Sequence, residues 1–205
     1  MPKLTLCLCL LLGLACHQAS EAAERHHPLW SIKGARNTVY LLGSVHFLKP
    51  TEQLPEVVDQ AYREAESLVM EIDMDDLDPL QAQQIQMELG MLPAQQSLEQ
   101  QIDPATYARI TALARELGID PMLLSRFRPW LAAMTLVQLQ LMKMGLDPNA
   151  GVEQRLVTRA VGDGKPIQGL ETLRQQLAIL AGMPQRQQRE FLLYSVEDSS
   201  RAEQE

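Results

Sequence analysis

Beyond position 16 the chain has no cysteine: Cys7, Cys9 and Cys16 account for all three. A disulfide scaffold and a thiolate zinc site are therefore excluded for the body of the protein. Aromatic residues are also sparse, at 4%, against 46% hydrophobic residues and ten methionines. An aliphatic, helix-rich interior follows. Cationic residues are outnumbered, 18 Lys and Arg against 26 Asp and Glu, for a formal charge of −8. That acidity opposes binding to nucleic-acid backbones and to anionic lipid. The body has no uninterrupted apolar run of about 18 residues, so no membrane-spanning helix is expected.

What is present begins with a separable leader. Met1-Pro2-Lys3 is a short, weakly basic start, and Leu4 to Ala15 is apolar but too short to cross a bilayer comfortably. Small residues follow at Ala19, Ser20, Ala22 and Ala23. Residues 1–22 read as an export signal, placing the body in the periplasm or envelope of a bacterium. Leu12-Gly13-Leu14-Ala15-Cys16 is similar to a lipoprotein cleavage box with its Leu one position early. A lipid anchor at Cys16 is the one membrane attachment the sequence offers.

The remaining residues, 23–205, suit one α/β (α+β) domain: a small mixed sheet with parallel strands, covering helices and a helical insertion over about 78–148. Leu29–Lys33 and Thr38–Leu42 flank the turn Gly34-Ala35-Arg36-Asn37 and predict a β-hairpin. Leu54, Val57, Val58, Ala61, Tyr62 and Ala65 recur with helical spacing. Ser67–Ile72 is a short apolar run that reads as a buried strand. Asp103-Pro104 and Asp120-Pro121 mark helix starts, and Gly118 a helix end. Pro129–Met144 is the most apolar helix of the body and is assigned to the core. Pro166–Leu170 predicts a further sheet strand.

The chemistry centres on Leu41-Leu42-Gly43-Ser44-Val45-His46. The strand stops at Gly43, and His46 falls at the rim of the sheet. Ligand sites of open α/β sheets lie beyond the carboxyl ends of strands. Ser67–Ile72 delivers Glu71 and Asp73 to its own carboxyl end. A right-handed crossover between the two strands would make them parallel, with His46 and the carboxylates on one edge. Imidazole and carboxylate together suit Zn, Mn or Co. In this arrangement His46 and Glu71 are candidate metal ligands, and Glu71 is also a candidate catalytic base. The plainer alternative is that His46 is a hydrogen-bonded structural residue and that Glu71 caps a helix or pairs with arginine. Asp73, Asp75, Asp76 and Asp78 form an acidic loop without the glycine and twelfth-position Glu of a calcium loop, and read as solvated. Adjacent His26 and His27 read as a solvated tail.

Trp30, Gly43-Ser44-Val45-His46 and Leu68-Val69-Met70-Glu71-Ile72-Asp73 resemble the TraB/GumN family, related to the Tiki metalloproteases. Pro129-Trp130, Gly151-Val152-Glu153 and the run from Gly164 to Thr172 extend the resemblance over about residues 29–195. It implies an α/β core with a helical insertion and, for Tiki-type members, divalent-metal peptidase activity. Gly43 and His46 match the family's first Gly-x-x-His, and Glu71 its acidic residue. The second Gly-x-x-His has no counterpart here, so the chain holds half of the implied metal site and reads as truncated at its C-terminus. Completion by association is one outcome, through an oligomer at an open sheet edge. Loss of chemistry, leaving a binding or regulatory protein for a peptide signal or partner protein, is another, and a fragment of a longer protein is the third. Glu171 is a further carboxylate at a strand end.

Overall fold

The hairpin forms as its sequence dictates. In the computed structural model, which describes residues 28–202 and side chains through Glu197, β1 (Leu29–Lys33) runs antiparallel to β2 (Thr38–Leu42). Trp30 faces Leu41 and Ile32 faces Val39 across the pair. The turn closes through the Gly34 amide, which donates to the Asn37 carbonyl at 2.8 Å.

Helix α1 (Glu56–Glu64) then leads to β3 (Leu68–Ile72). Val58, Ala61 and Tyr62 are buried as the spacing predicts, whereas Val57 is exposed on the flank of that stripe. Lys165 donates to the carbonyls of Tyr62 and Ala65 at the end of α1 and lies over the Tyr62 ring. It thereby satisfies acceptors that a helix end leaves open.

One expectation is corrected. β2 and β3 do not pair; β3 pairs in parallel with β4 (Ile167–Glu171), so among the described residues the strands form two two-stranded sheets. Two local effects favour the observed pairs. The tight turn gives β2 its antiparallel partner β1 at the smallest loop-closure cost. At β4, Gly169 lets the backbone of Asp73 approach to where any Cβ would stand 2.5 Å from the Asp73 amide nitrogen. The strand expected at 166–170 thus takes the place beside β3.

The two sheets share one small core. Tyr62, Val152, Leu156 and Ala160 are buried against Leu42, Leu48, Leu54, Leu68 and Ile167. Val152, Leu156 and Ala160 come from α6 (Val152–Asp163), whose left-handed Gly164 ends the helix.

Between β3 and α6 the chain is helical: α2 (Pro79–Gly90), α3 (Leu98–Gln101), α4 (Pro104–Glu116) and α5 (Pro129–Lys143). Asp78 and Asp103 cap α2 and α4 with their side chains, each followed by a proline. Gly118 has φ +79, as expected of a helix end, while 121–124 is a short 3-10 turn. The glutamine-rich stretch, to which composition assigns no role, supplies a capping box between Ser97 and Gln100. α5 is a core helix in its first half, where Trp130 and Leu136 are fully buried, and exposes Met134 and Met142 further along. α7 (Leu173–Gly182) and α8 (Gln185–Ala202) pack back onto this layer. Among the described residues no helix is long and apolar enough to cross a membrane.

Candidate functional site

The site is built where the loop after β2 meets the N-terminus of α6. Two backbone contacts clamp the loop. The Val152 amide donates to the Val45 carbonyl at 3.0 Å, and Asp147 and Leu48 exchange hydrogen bonds as an isolated bridge. Gly151 makes the first possible: a Cβ there would overlap the His46 carbonyl oxygen. Arg155, one turn into α6, donates to the carbonyls of Glu52 and Lys49 and pins the far end of the same loop. The sequence therefore spends a glycine and an arginine on fixing residues 45–52.

With the loop fixed, three side chains converge. Glu153 Oε1 lies 3.0 Å from His46 Nδ1 and also accepts a hydrogen bond from the Ser44 hydroxyl. The Glu153 side chain is 14% exposed and the His46 side chain 75% exposed. Glu153 Oε2 is buried without a hydrogen-bond partner among the described residues. The first turn of a helix is a favourable place for this carboxylate, because the exposed amides there carry partial positive charge. An ionised carboxylate only accepts hydrogen bonds, so in this pair the proton sits on His46 Nδ1. In the neutral ring this leaves Nε2 as the nitrogen without a proton.

His46 and Glu153 line a shallow cleft of about 140 Å³ together with Met74, Pro148, Asn149 and Gln154. Met74 comes from the segment just after β3. The carboxyl end of β3 therefore does reach the His46 edge, although β2 and β3 are not sheet neighbours.

Glu71 and Asp73 are placed differently from His46's partner. Glu71 is exposed on β3 and its Oε2 accepts from Gln176 of α7 at 3.2 Å. Asp73 accepts from the amide of Asp75 at 3.2 Å, a local turn bond. Glu171 is exposed at the end of β4. The carboxylate that meets His46 is thus Glu153, whose partner Ser44 lies 109 positions away in sequence. Its only sequence signal is membership of the Gly151-Val152-Glu153 segment.

The donor chemistry suits a divalent metal in kind but not in number. A catalytic zinc site takes three protein ligands. No group of three or more His, Cys, Asp or Glu side chains is placed to hold a metal among the described residues. The described residues therefore supply only part of a donor set.

The chain is 29% identical over 169 residues to the Uncharacterized protein YbaP of Escherichia coli (strain K12), covering 80% of this chain and 61% of that protein. The Shigella flexneri protein of the same description is 28% identical, with the same coverage. An Uncharacterized protein of Treponema pallidum (strain Nichols) is 27% identical over 187 residues, covering 88% of this chain and 53% of the relative. The chain thus spans between half and two thirds of the length of the curated relatives it matches. No solved structure matches it. The TraB/PrgY/gumN family matches residues 28–205, from the start of the hairpin through the last helix and including the whole of the His46 site; the chain belongs to that family.

Proposed function

We propose that this chain is an exported, divalent-metal-dependent hydrolase acting on peptides, with His46 as a metal ligand. The observation that carries the reading is the state of His46. Its imidazole stands at a cleft on the strand edge, with one nitrogen held by a carboxylate and the other without a protein partner among the described residues. Metal-binding histidines are commonly held in this way, the second ring nitrogen donating to a carboxylate. A bound Mn, Co or Zn would supply Lewis acidity and a more acidic water. The chain's own residues orient the imidazole, shape the cleft with Met74 and Pro148, and offer the carboxamides of Asn149 and Gln154, a chemistry that pairs with peptide groups. The remaining ligands, on this reading, come from outside the described residues. So do the export signal, residues 1–22, and the lipid anchor at Cys16.

The experiment is a screen of fluorogenic peptides against the purified chain with Mn, Co or Zn, wild type beside His46→Ala. Metal-dependent cleavage that chelation reverses and His46→Ala abolishes is the expected result. Cleavage that survives the substitution contradicts it. A second reading is a non-catalytic protein that binds a peptide signal. The exposure of Glu71 and its use by Gln176 favour it, and peptide binding without cleavage in the same screen would establish it.

A further inference from the structure

We infer that Glu153 is the working carboxylate of the His46 site, a positioning residue that fixes the tautomer of His46 and presents Nε2 as the free, electron-donating nitrogen. The importance of that nitrogen rests on the reading of His46 as a metal ligand; the tautomer itself does not.

Three observations support the assignment. The contact is specific: Oε1 meets Nδ1 at 3.0 Å and the Ser44 hydroxyl donates to the same oxygen. Two donors on one oxygen hold the carboxylate against rotation. The contact is also built, since Gly151 is required for the loop to approach α6 closely enough for the pair to form. Finally, it is an expensive arrangement if its purpose is only structural. Oε2 is buried and unpaired, and an unsatisfied buried acceptor carries a desolvation penalty. A histidine that is 75% exposed needs no such partner to be stable, because water would satisfy both nitrogens. Glu71 makes no comparable contact; its partner is Gln176.

Free imidazole side chains favour the proton on Nε2. The Glu153 contact reverses that preference by accepting from Nδ1, and a neutral carboxamide in its place has no reason to do so as strongly. The consequence is a ring whose Nε2 is ready to bind a metal ion or to take a proton from water without first losing one.

The test is long-range ¹H–¹⁵N correlation NMR of the imidazole nitrogens in the purified full chain, with the His46 signals assigned by their loss in His46→Gln. Wild type is expected to show His46 above its titration range with the proton on Nδ1. Glu153→Gln is expected to move the population toward the Nε2-protonated form, and Glu71→Gln to leave it unchanged. A parallel Zn(II) titration should show a 10–100-fold weaker affinity in Glu153→Gln, the size of effect seen when such orienting partners are removed. If Glu153→Gln does not fold, Glu153→Asp keeps the charge and withdraws it by one methylene, with the same tautomer change expected. An unchanged His46 tautomer in both Glu153 variants overturns the inference, as does a change in Glu71→Gln equal to that in Glu153→Gln. A tautomer change without any Zn(II) binding in wild type upholds the positioning role and sinks the metal reading.

Discussion

The helical layer and the strand platform of this protein are built to different standards. The fully buried large side chains Trp130, Leu98, Ile110, Leu124, Leu131, Leu136 and Leu192 all lie in the segments 98–136 and α8. The strand platform has a smaller core, fringed by half-buried residues from β2, β3 and β4. Its outer hairpin face leaves Trp30, Ile32, Val39 and Leu41 exposed, although they form two directly opposed cross-strand pairs. The difference teaches where each property lives. Dense helix packing supplies stability, and the candidate chemistry sits on the thinner region, at the junction of a strand, a clamped loop and one helix end. Polar groups can be held there, buried or exposed as needed, without breaking a close-packed interior.

The largest effect should come from the dense side. Trp130→Ala removes a fully buried indole and is expected to cost about 3–5 kcal/mol, read by urea unfolding. Since Trp130 Nε1 has no hydrogen-bond partner among the described residues, the expected loss is one of packing. On the strand platform, Lys165→Met removes the cation that serves two carbonyls and the Tyr62 ring, and should cost roughly 1–3 kcal/mol. A Lys165 effect as large as that of Trp130 would erase the contrast between the two regions.

A smaller effect is pH-dependent. Asp103 accepts from the Thr106 hydroxyl and, less strongly, from the Thr106 amide, which hold its carboxyl below the ordinary aspartate value of 3.8. The sign follows: the folded state favours the ionised form, so its contribution is present above 3.8 and is lost as pH falls through the lower folded value. Asp103→Asn should lower the melting temperature at neutral pH and flatten the acid limb of the stability curve. An acid limb identical to wild type would contradict this. The smallest effect is expected on the bare hairpin face. Ile32→Lys should change unfolding free energy by less than about 0.5 kcal/mol, because the side chain is 55% exposed. A large loss would show that this face is covered in solution.

Local structure was largely legible in the sequence. The hairpin turn, the stripe of α1, the Asp-Pro helix starts and the strand after Gly164-Lys165 all follow from rules acting over a few residues. Two things were not. The pairing of β3 with β4 instead of β2 depends on which long connection returns where, and on Gly169 admitting the Asp73 backbone. Apolar content cannot rank those alternatives. The meeting of Glu153 with His46 was equally hidden. His46 was visible because a strand and a glycine precede it. Glu153 looks like an ordinary first-turn acid on a helix, and only the Gly151 contact with the His46 backbone reveals its partner. Glu71 shows the converse: its sequence position promises a site, and the fold hands it to Gln176.

The most direct test of the account is the metal content of the purified chain after mild dialysis, wild type beside His46→Ala. The account predicts one bound Mn, Co or Zn per chain in wild type and its loss in the variant. Soluble, folded wild type that retains no metal would contradict it.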